Sequence, residues 1–128
     1  MPSDHIYVTT AVDLTALTGE GIDGPVAAWQ TKDVEHLAGR SPEGDLLVFW
    51  WSPRAGRWQV VNASREAGAS IDGAVAAWVT QSGEFTVEHL AGRSPEGDLL
   101  VFWWSPRAGR WQVVNASREA GASIDGAV

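Results

Sequence analysis

Glu35-His36 is the pair that invites a chemical reading, and it recurs unchanged as Glu88-His89. A carboxylate beside an imidazole can share or pass a proton. Adjacent residues of an extended strand point to opposite faces, so neither pair is a dyad by itself. Three readings stand for His36 and its copy: a buried, hydrogen-bonded structural residue, a ligand contact, or a metal ligand. Three His and no Cys, without metal-site spacing, argue against the last, and no metal or cofactor is expected. Glu43 with Asp45, and their copies Glu96 with Asp98, bring to mind the carboxylate pair of a glycosidase. They lie in turns, where carboxylates more often bond local backbone or water. No catalytic residue is expected and the chain is not read as an enzyme.

The eight tryptophans carry the other possible chemistry. An indole offers a broad apolar face and one N–H donor, which suits cores, interfaces and sugar-stacking surfaces. Trp50 and Trp51, like Trp103 and Trp104, are neighbours that face opposite ways and are expected in packing between layers. Trp29, Trp58, Trp78 and Trp111 stand near strand ends, where a ring can stack on a sugar. With the two histidines they make the candidate carbohydrate-binding set: Trp29, His36, Trp58, Trp78, His89 and Trp111. Arg40, Arg54 and Arg57, with their copies Arg93, Arg107 and Arg110, are expected to pair with acids such as Asp23, Asp72 and Asp125. Asn62-Ala63-Ser64 and Asn115-Ala116-Ser117 match a glycosylation acceptor, a pattern short enough to arise by chance.

A net charge of −7 with Lys32 as the single lysine argues against nucleic acid, whose phosphates require clustered cations. No apolar run reaches the roughly 18 residues of a membrane helix. The opening Met1-Pro2-Ser3-Asp4-His5 lacks the regions of a signal peptide. The expectation is a soluble chain that is cytoplasmic or has lost a leader.

The elements that must position these residues are written twice. Residues 34–75 recur without change as residues 87–128, an offset of 53 over 42 positions. Such identity marks a duplication that is very recent or made by design. In the second copy the pattern predicts strands over Ala76–Thr80, Phe85–Leu90, Leu99–Trp104 and Trp111–Asn115. Gln81-Ser82-Gly83 reads as a hairpin turn, and Ser94-Pro95-Glu96-Gly97-Asp98 and Ser105–Gly109 as further turns. Leu99–Trp104 is apolar throughout, as for a strand buried on both faces. Arg118–Gly126 reads as a Gly/Ala/Ser-rich link. No stretch sustains a 3.6-residue period, so the fold class expected is all-β. Four short antiparallel strands per unit of about 50 residues match a propeller blade. The first unit lacks four residues between Thr31 and Val34, a difference expected in the hairpin loop, where length costs little.

The N-terminal stretch is a fainter copy. At an offset of 49, Val12 falls on Val61, Gly19 on Gly68, and Ile22-Asp23-Gly24 on Ile71-Asp72-Gly73. Residues from about 6 to 26 therefore read as a diverged fourth strand and its link. The organisation expected is 1–26, a diverged outer strand and link able to act as a latch; 27–75, the first blade; and 76–128, the second blade with its terminal link.

The unit resembles the blades of bacterial lectin-like β-propellers of the tectonin and Photorhabdus-lectin type. The residues that carry the resemblance are Gly24–Trp29, His36, Gly44, Phe49-Trp50-Trp51, Trp58 and Gly68. They recur as Gly73–Trp78, His89, Gly97, Phe102-Trp103-Trp104, Trp111 and Gly121. The resemblance implies a propeller whose relatives carry six or seven blades in one chain and bind fucose or other sugars between blades. Two departures stand out: there are two blades here, and Leu46-Leu47-Val48 precede the paired tryptophans where relatives place polar groups.

Two blades cannot close a circle, which takes about four to eight. The expectation is a homo-oligomeric ring, with Val128 of one chain meeting Ala27 of the next. Three chains give six blades and four give eight, with a slight lean to the tetramer. At each junction, residues 111–116 of one chain or 6–14 of its neighbour supply the outer strand. The function expected is self-assembly of a propeller fragment. The alternatives are a multivalent carbohydrate-binding lectin and a protein-interaction scaffold.

Overall fold

Each repeat folds into one sheet, because its turns force the chain back on itself three times. The computed structural model describes residues 11–126 and 128. The first sheet runs β1 (Val26–Thr31), β2 (Val34–Arg40), β3 (Leu46–Trp51) and β4 (Trp58–Asn62). The second runs β5 (Val75–Ser82), β6 (Phe85–Arg93), β7 (Leu99–Trp104) and β8 (Trp111–Asn115). Both are antiparallel meanders whose spatial order is their chain order. The fold is therefore all-β, two four-stranded sheets with a few one-turn helices.

The β2–β3 turn shows how the sequence bends. Ser41 donates its backbone N–H to Asp45, accepts from Gly44 on its carbonyl, and accepts from Asp45 N–H on its hydroxyl at 3.1 Å. Gly44 sits at φ +92°, a conformation that a side chain would oppose. Ser94 and Gly97 repeat the arrangement before β7.

The four-residue insertion does not lengthen a loop. It adds the pairs Gln81↔Thr86 and Ser82↔Phe85 to the β5–β6 ladder, so the turn shifts outward to Gly83-Glu84. Gln81 and Ser82, expected in the turn, are the last two residues of β5. An even insertion keeps the alternation of faces, which is why a longer ladder was available.

The links are partly helical, which a reading based on periodicity misses in pieces this short. α2 (Ala63–Ala67) and α3 (Ala116–Ala120) are single turns. Asn62 and Asn115 cap them by accepting from Arg65 and Arg118 N–H at 2.8 Å, and left-handed Gly68 and Gly121 end them. A third turn, α1 (Leu14–Thr18), stands at the N-terminal end of the described chain. It is capped by Asp13 and ended by Gly19, the residues that the offset of 49 aligns with Asn62 and Gly68. The outer-strand reading of residues 6–14 falls mostly outside the described residues.

The sheets stack face to face, and the core lies between them. Ala38, Leu46 and Val48 of the first sheet meet Leu90, Leu100, Phe102 and Trp111 of the second, with Ala63 and Ile71 of the link sealing one side. The link is stitched to both sheets: Ile71 N–H donates to Gly44 O at 2.9 Å and Asp72 N–H to Arg93 O at 2.7 Å.

Candidate functional site

His36 and Glu88 meet across the gap between the sheets. The strand alternation that separates Glu35 from His36 turns His36 toward the second sheet and, one repeat on, turns Glu88 back toward the first. His36 Nδ1 lies 3.3 Å from Glu88 Oε1, and Trp29 Nε1 donates to the same oxygen at 2.7 Å. The indole of Trp29 stacks on the imidazole, centroids 4.9 Å apart and planes within 5°. Thr31 Oγ1 lies 2.9 Å from His36 Nε2. A neutral imidazole that donates from Nδ1 to Glu88 and accepts at Nε2 from the Thr31 hydroxyl satisfies all three groups. Burial lowers the His36 pKa to about 4. Burial also raises the Glu88 carboxyl, and the Trp29 N–H opposes that rise.

Around this pair is a cleft of about 470 Å³. Trp50 forms one wall, and Trp104, Trp111 and Glu88 stand on the other. Trp104 is the repeat of Trp51, so the opposed faces of one Trp-Trp pair build the two walls of a cleft from successive sheets. Glu66 of α2 lies at the cleft and accepts from Trp111 N–H at 2.9 Å.

The six candidate residues fall in three places. Trp29 and His36 stand together with Glu88, and Trp111 lies across from His36 on the cleft wall. Trp78 and His89 repeat the stacked pair, at 4.9 Å and 5°, on the outward face of the second sheet, with Thr80 Oγ1 2.8 Å from His89 Nε2. There Trp78 is 41% exposed, and burial lowers the His89 pKa. Trp58 faces away from the second sheet, over a shallow hollow of the first that also includes Glu35. One chain thus holds one closed Trp–His–Glu junction, an open Trp78–His89 pair on one face, and an exposed Glu35 on the other.

Glu88, Trp50 and Trp104 are not among the candidates read from sequence. The signal for Glu88 was present: opposite-facing neighbours in a 53-residue repeat put Glu88 toward His36 of the preceding sheet. Of the expected arginine pairs, two form among the described residues, Arg40 Nη1 on Asp23 at 3.2 Å and Arg93 Nη1 on Asp72 at 2.8 Å; Arg54, Arg57, Arg107 and Arg110 make no such pair there. The turn acids Asp45 and Asp98 accept from Asn62 and Asn115 at 2.9 and 2.8 Å.

No family model, no curated protein and no solved structure matches the chain.

Proposed function

We propose that copies of this chain assemble head to tail into a closed propeller ring, and that this assembly is its principal activity. One observation carries the reading. The junction inside the chain, Trp29 and His36 against Glu88, has its two halves left over on the outer faces: Trp78 with His89 on one, Glu35 on the other. Because the repeats are identical, the surface of Trp78 and His89 suits Glu35 of a second copy as Trp29 and His36 suit Glu88. The interface is heterologous, so it propagates until it closes. The apolar parts of the two faces agree with this: Val26 is 57% exposed where its counterpart Val75 is 9%. Glu88 and His36 are held by Trp29 and Thr31, which favours a structural role over proton transfer.

Native mass spectrometry tests the reading. Chains of 13.7 kDa give about 41 kDa as a trimer of six blades or about 55 kDa as a tetramer of eight. A folded species that stays at the mass of one chain at high concentration overturns it.

A second reading rests on the cleft. Its volume suits a small ligand, and its aromatic walls with a few polar groups suit a sugar. Multivalent binding would follow from one cleft at each blade junction. Glycan binding that free monosaccharide competes away supports it, and no binding by the assembled ring removes it.

A further inference from the structure

A groove on each sheet receives the link that enters it. On the second sheet its floor is Gly92, where a Cβ would lie 3.6 Å from Ile71 Cγ2, and Asp72 N–H is bound by Arg93 O at 2.7 Å. On the first sheet the floor is Gly39, where a Cβ would lie 3.0 Å from Ile22 Cγ2, and Asp23 N–H is bound by Arg40 O at 2.7 Å. The N-terminal link thus fills on the first sheet the place that the inter-blade link fills on the second. In a ring, Ile124 and Asp125 of the preceding copy reach for this same groove. Ile124 N–H already donates to Gly97 O at 3.1 Å, as Ile71 does to Gly44 O. Two links then claim one groove.

We infer that the C-terminal link wins: in the free chain residues 11–24 cover the groove of the first sheet, and on assembly Ile124 and Asp125 of a second copy displace them. This rests on the ring reading above. The side chains decide the contest. Asn115 donates to Asp98 at 2.8 Å, whereas Asp13, its counterpart in the N-terminal copy, would set a second carboxylate against that acid. Glu66 of the inter-blade link accepts from Trp111 N–H at 2.9 Å. Glu119 of the C-terminal copy can do the same for Trp58 N–H of the next chain, but the N-terminal copy has Leu17 there and no oxygen to offer. Ala63 is fully buried between the sheets, and Ala116 keeps that size where Leu14 adds bulk. The C-terminal link also has an acceptor still to place. Arg40 Nε donates to Ile71 O at 3.3 Å, but Arg93 Nε, whose counterpart partner is Ile124 O, is buried without one. Seating Ile124 in the groove of a second copy fixes that carbonyl.

Hydrogen exchange on the full chain, isolated as the ring and read by mass spectrometry, tests the inference. Amides of 116–126 are expected to exchange at least about tenfold more slowly than those of 11–23. The reverse order, or equal rates, overturns it. Asp13→Asn combined with Leu17→Glu gives the N-terminal copy the partners it lacks. It should raise protection of 11–23 at least about threefold and lower that of 116–126, and unchanged rates count against the inference. A mass that stays at one chain removes the ring reading itself, whereas a ring with the wrong exchange order removes only the choice of link.

Discussion

Val48 and Val101 occupy the same place in identical stretches, yet Val48 is sealed and Val101 is half-open. The same holds for Leu46 against Leu99 and for His36 against His89. On the opposite faces the order reverses: Leu90, Glu88 and Trp111 are buried where Leu37, Glu35 and Trp58 are not. Beyond the first hairpin, strand positions, ladder register and turn bonds are the same in both sheets. Local sequence therefore builds the sheet, and what lies against a face decides how much of it is sealed: Leu47 and Phe49 are buried on the outer face of the first sheet although no second sheet covers them. The two sheets are a natural control for each other: one chemical sequence, with and without a second sheet on a given side.

The sharpest test of that contrast uses leucine. Leu90→Ala removes a fully buried side chain between the sheets and should cost about 2–5 kcal/mol, whereas Leu37→Ala in the dilute chain should cost clearly less. Denaturant unfolding at low and high chain concentration checks this. In the assembled ring the two costs should converge, and a persistent gap would show that the outer faces never become equivalent.

Acid should act next most strongly, and unequally. His36 is held neutral with its pKa lowered to about 4, against about 6.5 in the unfolded chain, so the unfolded state binds more protons between those values. Its contribution is complete above about pH 6.5 and falls away toward pH 4, by at most about 3 kcal/mol. Glu88 carries the opposite sign: its raised carboxyl adds stability as pH falls through its folded value, which trims the loss. NMR titration of the two imidazoles should find His36 titrating below His89 in the single chain. Assembly should draw His89 down toward His36.

A smaller effect separates the two glutamates. Glu88→Ala leaves Trp29 Nε1 and His36 Nδ1 without their acceptor in a buried place, at a cost of about 1–3 kcal/mol. Glu35→Ala should leave the unfolding of the single chain unchanged while raising the concentration needed for assembly. Equal costs in the single chain would mean that the Trp–His–Glu contact contributes nothing to the junction.

Much of this architecture was legible because the sequence is punctuated strongly. Ser-Pro-x-Gly turns with the apolar run of β7 and the short Trp111–Asn115 run gave β7 and β8 their bounds, and the 49-residue offset aligned Gly19 with Gly68, the residue that ends α2. What escaped had physical reasons. A five-residue helix has no room to display a period, so α1, α2 and α3 were hidden behind Gly and Ala. The four extra residues of the second hairpin extended a ladder because their number is even, a fact of pairing rather than of composition. Of the site, Trp29, His36 and Trp111 were recognised by type, but Glu88 was not. Its importance comes from a partner 52 residues away in the chain, and such pairings are set by how sheets stack.

The unequal hairpins have one more result. The closed cleft within a chain is rimmed by the short β1–β2 turn at Thr31 and Val34, whereas the cleft that Trp78 and His89 would help to form is rimmed by the tall β5–β6 ladder, where Arg107 lies 5.9 Å over Phe85. A ring built from this chain therefore alternates low and high rims, and its rotational order equals the number of chains, not of blades. Whatever enters these clefts would meet two kinds in equal number, and a titration would resolve them as two steps of the same height.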